Sequence, residues 1–222
     1  MISKDVFSEL NLNVFQPEKG YRYNEDSVTL ANFIEKIKKN ATVVDLGAGC
    51  GIISLLLARK FDDIKVVAVE VEPSLFDFLK KNIQLNQLDD RVIPILSDWR
   101  DLKKQYNNCV DVVVTNPPFR EPDSGRISST AEKAVARHEL RGGLEGLIDT
   151  ARVMLKDKGV FYSVFLSERL VDLITLMRQK HIEPKEILPV YPNHNKSSTV
   201  FLVKGVKNAG RSIKLLPPFF RR

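Results

Sequence analysis

Short apolar runs alternate with longer amphipathic segments along the chain from residue 41 onward. Runs such as Val110–Thr115 are apolar at most positions, which is typical of strands buried on both faces of a sheet. The alternation predicts an α/β fold, a mostly parallel sheet with helices on both faces. The predicted strands are Thr42–Leu46, Ile64–Glu70, Arg91–Leu96, Val110–Thr115, Val160–Phe165, Ile187–Tyr191 and Thr199–Val206, and the predicted helices cover about 51–60, 73–86, 143–156 and 167–180.

The two ends of the chain depart from this alternation. The loop after Tyr191 is too short for the crossover of about a dozen residues that a parallel pair needs, so the seven-stranded sheet is expected to end in an antiparallel hairpin. Near the start, Asp26 and Ser27 are candidate caps of an amphipathic helix that runs to about Lys39. We predict one domain with a lead-in or flap over residues 1–40, a core over 41–206 and a basic tail over 207–222.

Charge is unevenly distributed along the 222 residues. The net charge of +6 divides into −2 for residues 1–130, with 17 basic and 19 acidic residues, and +8 for residues 131–222, with 17 and 9. This asymmetry favours a polyanionic partner, nucleic acid before a membrane surface. A solvated basic tail explains the charge alone equally well.

Several classes of protein lack support in the sequence. Cys50 and Cys109 form neither a metal-ligand spacing nor a disulfide framework. No run reaches the roughly 18 apolar residues of a membrane span, and the first residues do not resemble a signal peptide. We therefore expect a cytoplasmic protein without a metal or a membrane partner.

A glycine-rich turn follows the first strand of the core, with glycines at positions 47, 49 and 51 and Asp45 two residues before them. Glycine lets a backbone turn tightly and approach a ligand closely. A dinucleotide-binding turn places its third glycine three residues after the second, where this chain has Ile52. The arrangement of Asp45, Gly47, Gly49 and Gly51 instead resembles the S-adenosylmethionine turn of class I methyltransferases. Its alternative is a strand–helix turn that binds nothing.

Acidic residues also follow the next two predicted strands. Glu70 ends the second strand, where a carboxylate can accept hydrogen bonds from ribose hydroxyls. Asp98 follows the third, where it could accept from an adenine amino group while Trp99 supplies an apolar wall. Each acid alone is compatible with a solvated loop. Together with Asp45 they lie at the carboxyl ends of three consecutive strands, where open parallel sheets bind ligands.

The fourth predicted strand ends in Asn116, Pro117, Pro118 and Phe119. This motif resembles the active site of amino-group methyltransferases. The Asn116 side-chain oxygen and the Pro117 carbonyl can accept N–H bonds from an exocyclic amino group, and the prolines fix the backbone. Phe119 offers a stacking face for a base taken out of its helix or loop. The alternative is a plain Pro-Pro turn that closes a buried strand.

Nearly all of the chain resembles the bacterial tRNA1(Val) (adenine-N6)-methyltransferase family. The resemblance includes the lead-in from Gln16 through Tyr23 to Ser27, the Asn-Pro-Pro-Phe site and the segment Ala136–Glu139. It implies a Rossmann-like class I fold, S-adenosylmethionine as cofactor, tRNA as partner and a monomer. By the same analogy Gln16, Tyr21 and Arg22 would cap the cofactor pocket, although a surface salt bridge explains Arg22 as well.

The expected RNA contacts lie in the second half of the chain, where the basic residues supply phosphate affinity that does not depend on sequence. For most of them an ordinary solvated position is the alternative. The candidates are Arg120, Arg137, His138, His194, Lys196, Lys204, Lys207 and Arg211.

Other functions remain open on the sequence. The same chemistry could serve guanine N2 of ribosomal RNA or a glutamine amide of a release factor. A non-catalytic RNA-binding module is disfavoured by the intact Asn116–Phe119 motif, and a nicotinamide-dependent dehydrogenase by Ile52 at the third glycine position.

Overall fold

The structure is a computed structural model that describes residues 2–7, 11–18, 25–117 and 143–221. Its strands are β1 (Ile2–Phe7), β2 (Leu12–Pro17), β3 (Ala41–Leu46), β4 (Ile64–Glu70), β5 (Val92–Leu96), β6 (Val110–Thr115), β7 (Leu155–Leu166), β8 (Ile182–Tyr191), β9 (Val200–Lys207), β10 (Lys214–Leu215) and β11 (Phe219–Phe220). Its α-helices are α1 (Glu25–Phe33), α2 (Ile52–Lys60), α3 (Pro73–Leu85), α4 (Gly143–Met154) and α5 (Leu170–Gln179). Short 3-10 turns cover Asp101–Lys103 and Ser167–Arg169.

The large sheet has the order β10-β8-β9-β7-β6-β3-β4-β5, with β11 also paired to β8. Strands β3 to β7 run parallel, whereas β9 is antiparallel to both β7 and β8. The chain leaves β3 toward β4 and β5 and then returns to the other side of β3 as β6. Ligands of open α/β sheets bind at such a reversal, outside the carboxyl ends of the strands. The predicted mostly parallel sheet with a terminal antiparallel hairpin is confirmed.

Helices cover both faces of this sheet. Buried side chains of α2 and α3, such as Leu55 and Leu79, pack on one face. Those of α4 and α5, such as Ile148 and Leu173, pack on the other. Strand β6 lies between the two cores and is buried at every position, as its apolar sequence indicated.

A hairpin of β1 and β2 precedes the sheet and was not predicted. Two asparagines one turn apart, Asn82 of α3 and Asn86 at its C-cap, bind the backbone of β2. Asn82 Oδ1 accepts from the Phe15 amide at 2.7 Å and Asn86 Oδ1 from the Asn13 amide at 2.9 Å. Their Nδ2 groups donate to the carbonyls of the same two residues, each at 2.8 Å. The hairpin is thus held by side chains about 70 residues away, which a local sequence pattern does not reveal.

Helix α1 is shorter than predicted, since it spans Glu25–Phe33 and does not reach Lys39. The Lys60 amine donates hydrogen bonds to the carbonyls of Asn32 and Ile34 at 3.1 and 2.8 Å. A cationic side chain that binds the last carbonyls favours the end of a helix at that point. The predicted N-cap is also wrong, because Asp26 and Ser27 lie inside the first turn of α1.

Part of the segment predicted as a basic tail joins the sheet. Strands β10 and β11 pair in parallel with β8. The Arg221 amide continues this pairing by donating to the Tyr191 carbonyl at 2.9 Å. In the described residues the sheet therefore has nine strands, two more than predicted. Strands of two residues carry too little periodicity to be recognised in a sequence.

Two long strands also begin earlier than predicted. Strand β7 begins at Leu155 where a helix was predicted to continue to residue 156, and β8 begins at Ile182 where the prediction began at 187. Leu155 pairs with Val110 across a bulge in β6 and β7. Pairing with a neighbouring strand overrides the polar character of the residues that follow Leu155.

Candidate active site at the carboxyl edge of the sheet

The glycine turn between β3 and α2 is held against the end of β4. The amides of Gly47 and Ala48 donate to the Val69 carbonyl at 3.0 and 2.8 Å. Gly51 caps α2 with φ of 93°. A Cβ at Gly51 would lie 2.5 Å from Leu79 Cδ1, so both the backbone conformation and the packing require glycine there.

Glu70 fastens this turn. Its Oε2 accepts a hydrogen bond from the Gly49 amide at 2.6 Å, and Oε1 accepts from the amides of Val71 and Glu72 at 3.0 and 2.9 Å. The side chain is buried, and burial raises the pKa of Glu70 although these amides oppose the shift. The sequence predicts ribose contacts for Glu70. In the structure the same carboxylate also holds the glycine turn in position.

Asp45 is the second buried carboxylate beside the turn. Ser54 Oγ donates to its Oδ2 at 2.7 Å, while Oδ1 has no hydrogen-bond partner among the described residues. The pKa of Asp45 is raised to about 7, chiefly by burial; the Ser54 hydrogen bond opposes the shift and the nearby Glu70 adds to it. Two buried carboxyl groups place acceptor oxygens beside the turn, and their ionised forms suit a cationic ligand.

Asn82 connects the glycine turn to the hairpin. Besides binding Phe15, its Nδ2 donates to the Cys50 carbonyl inside the turn at 2.8 Å. The side chain is fully buried. Hairpin, helix α3 and turn therefore share one buried amide, a contact with no sequence signal because its partners are far apart in the chain.

Asn116 lies at the end of β6, beside the turn. Strand β6 pairs with β3, and Thr115 Oγ1 donates to the Leu46 carbonyl at 2.8 Å. Asn116 is 8% exposed, and its Nδ2 donates to Ser27 Oγ on α1 at 2.8 Å. Pro117 is buried next to it. The predicted acceptor site and the predicted cofactor turn are thus brought together.

Known proteins resemble this chain in sequence and in fold. The sequence profile of the TRM5/TYW2 methyltransferase domain matches residues 22–123. A tRNA1(Val) (adenine(37)-N6)-methyltransferase of Porphyromonas gingivalis is 28% identical over 83% of this chain and 79% of its own length. The structure of Methanocaldococcus jannaschii Trm5 in complex with adenosine has a TM-score of 0.69 at 21% identity, covering 94% of this chain and 56% of that one. The chain has the class I S-adenosylmethionine-dependent methyltransferase fold.

The comparisons confirm the resemblance predicted from the sequence. Another solved structure, M. jannaschii TYW2 in complex with AdoMet, has a TM-score of 0.60 at 19% identity, over 91% of this chain and 84% of that one. The site of the present methyltransferase fits this cofactor. S-adenosylmethionine carries a sulfonium and an ammonium group, and Asp45 Oδ1 is a buried acceptor without a partner in the described residues.

The raised pKa of Asp45 makes the stability of this methyltransferase pH-dependent. Between about pH 4 and pH 7 the unfolded chain loses the Asp45 proton while the folded chain keeps it. The free energy of unfolding therefore falls as pH rises through this window, by about 4 kcal/mol if the full difference between 3.8 and about 7 is expressed. We expect Asp45→Asn to gain stability over the natural protein between pH 5 and pH 8.

Urea denaturation at pH 5 and pH 8 without cofactor measures the difference in unfolding free energy between Asp45→Asn and the natural protein. Asp111→Asn is the matched control. Burial alone would raise the pKa of Asp111, but hydrogen bonds from Lys38, Thr42 and Lys156 outweigh it and lower the pKa. Asp111→Asn should therefore lose stability at both pH values. Equal pH dependence in Asp45→Asn and the natural protein would contradict the assignment.

The remaining predicted cofactor residues lie at the end of β5. Asp98 Oδ1 accepts from the amide and Nε of Arg100 at 2.9 and 2.8 Å, and the two side chains form an ion pair. Trp99 packs against the core on the face of the sheet that α4 covers. A Cβ added at Gly146 of α4 would lie 3.8 Å from Trp99 Cη2, an ordinary van der Waals distance. Their contacts with adenine stay predictions. Tyr21 and Arg22 lie outside the described residues.

The predicted RNA contacts that lie within the described residues are not brought together. His194 and Lys196 lie in the loop after β8, at the same edge as Asn116, and the His194 ring stacks on Phe220 with centroids 3.8 Å apart. Lys204 pairs with Glu186 at 2.9 Å, and Lys207 donates to the Leu155 carbonyl at 2.6 Å. Lys207 and the exposed Arg211 lie toward the opposite edge. Five further predicted residues lie outside the described residues: Pro118 and Phe119 of the predicted catalytic site, and Arg120, Arg137 and His138 of the predicted RNA contacts.

Neither a metal-binding cluster nor a helix fit to cross a membrane occurs in the described parts of the chain. There, His, Cys, Asp and Glu side chains form no group of three or more that could hold a metal ion. No helix of those parts combines the length and the apolar character needed to cross a membrane.

Proposed function

We propose that this methyltransferase transfers the methyl group of S-adenosylmethionine to N6 of an adenosine beside the anticodon of a tRNA, position 37 of tRNA1(Val) in the named relative. The observation that carries the proposal is the buried and oriented amide of Asn116, followed by Pro117, beside a glycine turn with two buried carboxyl groups. An amide oxygen and a carbonyl in adjacent residues match the two N–H donors of an exocyclic amino group.

The chemistry follows from these groups. An exocyclic amino nitrogen is a poor nucleophile because its lone pair is delocalised into the ring. Hydrogen bonds from its two N–H groups to Asn116 Oδ1 and the Pro117 carbonyl would pull the nitrogen toward tetrahedral geometry and direct the lone pair at the methyl donor. S-adenosylmethionine supplies that methyl group when bound. The amino proton becomes acidic only after alkylation, so positioning and hydrogen bonding account for catalysis without a general base.

The acceptor is tested by incubating the protein with the cofactor and an unmodified total tRNA pool, followed by nucleoside mass spectrometry. We expect N6-methyladenosine, with the modified site mapped next to the anticodon. N2-methylguanosine in ribosomal RNA or a methylated release-factor peptide would place the same chemistry on another acceptor. Intact cofactor binding with no N6-methyladenosine in any tRNA would overturn the proposal.

We also propose that RNA reaches the site over the loop after β8, with the protein acting in the cytoplasm as a monomer. His194 and Lys196 share an edge with Asn116, and no acidic residue follows Glu186 in the chain. Phosphate contacts of this kind supply affinity that falls as salt rises.

Lys196→Ala is expected to weaken tRNA binding about 3–10-fold and to reduce the salt dependence by about one phosphate contact. Lys39→Ala is the control, because Lys39 is exposed before β3 at the opposite edge. Filter binding at several salt concentrations measures both variants. Equal losses in the two would show that the loop is not a specific contact.

A further inference from the structure

We propose that Ser27 is a positioning residue for Asn116, and that the last strand of the chain holds Ser27 in place through Arg221. This inference rests on the proposed function, because it concerns how the same site is made ready for an amino acceptor. It adds residues that sequence reasoning assigned to a helix cap and to a basic tail.

The first contact joins Ser27 to Asn116. Both side chains are buried, 3% and 8% exposed, and Asn116 Nδ2 donates to Ser27 Oγ at 2.8 Å. An amide is planar and rigid, so a partner on Nδ2 also fixes where Oδ1 lies. Rotation of the amide by half a turn would present N–H groups to a substrate amino group that also carries N–H donors. In the observed orientation the Ser27 hydroxyl accepts from Nδ2, and this contact holds the amide with Oδ1 as the group presented to the substrate.

The second contact holds the start of α1, where Ser27 lies. Asp26 is 5% exposed and accepts a hydrogen bond from the Arg221 guanidinium, while Glu25 lies 3.9 Å from Arg221 Nε. A buried carboxylate requires a paired cation or several hydrogen bonds. The pair with Arg221 therefore ties the first turn of α1 to the end of the chain.

The third contact fixes Arg221 itself. The preceding strand β11 pairs with Val190 and Tyr191 of β8, and the Arg221 amide donates to the Tyr191 carbonyl at 2.9 Å. The Phe220 ring packs against Tyr191 with centroids 5.6 Å apart. A continuous series of contacts thus runs from the edge of the sheet through Arg221 and the first turn of α1 to Asn116.

A positioning role and a purely structural role predict different kinetics. If Ser27 only supported the fold, its loss would lower the melting temperature and the cofactor affinity along with activity. If it orients Asn116, its loss should lower kcat and leave binding nearly unchanged, because misplacement of a catalytic group acts on the reacting geometry.

The test compares Ser27→Ala, Ser27→Thr and Thr29→Val in N6-methyladenosine formation on tRNA. Ser27→Ala should lower kcat about 10–100-fold, with the KM for tRNA and the Kd for cofactor within about threefold. Ser27→Thr keeps a hydroxyl and should recover most of the activity. Thr29→Val removes a hydroxyl of the same helix that donates to the Glu25 carbonyl at 2.9 Å, and it should behave as the natural protein. Full kcat in Ser27→Ala, or a matching loss of cofactor affinity and melting temperature, would overturn the proposal.

The link to the last strand is tested by Arg221→Met, alone and combined with Ser27→Ala. We expect Arg221→Met to lower kcat, and the double variant to be no slower than Ser27→Ala, since the two residues act through one amide. If the double variant instead lost kcat by the product of the two single losses, the proposed link between Arg221 and Ser27 would be overturned.

Nitrogen NMR of the Asn116 side-chain amide gives a readout that does not depend on the acceptor. Ser27→Ala should move this signal and speed its proton exchange, and an unmoved signal would contradict the inference even in a protein with another substrate. Failure of the natural protein to modify any tRNA would instead count against the proposed function alone.

Discussion

Asn116→Ala is expected to abolish measurable methyl transfer, lowering kcat by about 10²–10³-fold or more, with cofactor affinity within a few-fold of the natural protein. The substitution removes the amide oxygen that would accept from the substrate amino group, and it also removes the partner of Ser27. The glycine turn, Glu70 and Asp45 are untouched, so the cofactor site should persist. Single-turnover methylation of tRNA measures the chemical step, and calorimetric titration measures cofactor binding.

Asn107→Ala is the matched control for this variant. Asn107 is exposed in the loop before β6, at the opposite end of the strand that carries Asn116. Asn107→Ala removes the same type of side chain far from the site, so both methyl transfer and cofactor binding should be unchanged. Full activity of Asn116→Ala would show that the mechanism proposed above is wrong.

Gly51→Ala is expected to cost about 1–3 kcal/mol of unfolding free energy and more than tenfold in cofactor affinity. The left-handed φ of 93° is strained for alanine, and the new Cβ would lie 2.5 Å from Leu79 Cδ1. Relief of this contact requires the buried Leu79 side chain, the turn or helix α3 to move, and movement of the turn displaces the backbone that approaches the cofactor.

Two other glycines separate backbone strain from packing. Gly47 has φ of 74° but no atom within 4 Å of an added Cβ, so Gly47→Ala should cost about 1 kcal/mol through strain alone. An added Cβ at Gly210 meets no atom within 4 Å, and no left-handed φ is found there, so Gly210→Ala should be nearly neutral. Urea denaturation and calorimetry should give losses in the order Gly51, Gly47, Gly210.

A double-mutant cycle with Leu79→Ala identifies the clash. If the contact with Leu79 causes part of the loss, Gly51→Ala and Leu79→Ala together should cost less than the sum of the two single changes. Additive costs would mean that strain at φ of 93° alone explains the effect.

Much of the site could be predicted because its parts are local in the sequence. The acid and glycines of 45–51 occupy one strand–helix turn, and Asn116 and Pro117 directly follow a strand that is apolar enough to be recognised. In a parallel sheet the carboxyl ends of neighbouring strands lie together, so the meeting of these two segments follows from strand type alone.

The errors fall where distant residues decide local structure. Helix α1 ends early because Lys60 binds its last carbonyls, and the β1–β2 hairpin is held by Asn82 of α3 and Asn86 at its C-cap. Lys204 pairs with Glu186 on the neighbouring strand, and its contact with phosphate stays a prediction. None of these partners is close in sequence.

The class of fold, the cofactor turn and the amino-acceptor motif could be recognised in the sequence, since each depends on periodicity or on residues within a few positions of one another. Three other features emerge only from the folded chain: Glu70 and Asn82 hold the turn, Ser27 binds Asn116 across 89 positions, and Arg221 reaches Asp26 from the end of the last strand. These contacts depend on which elements become neighbours in the folded sheet, and hydrogen bonds between such neighbours leave no periodic trace in the chain.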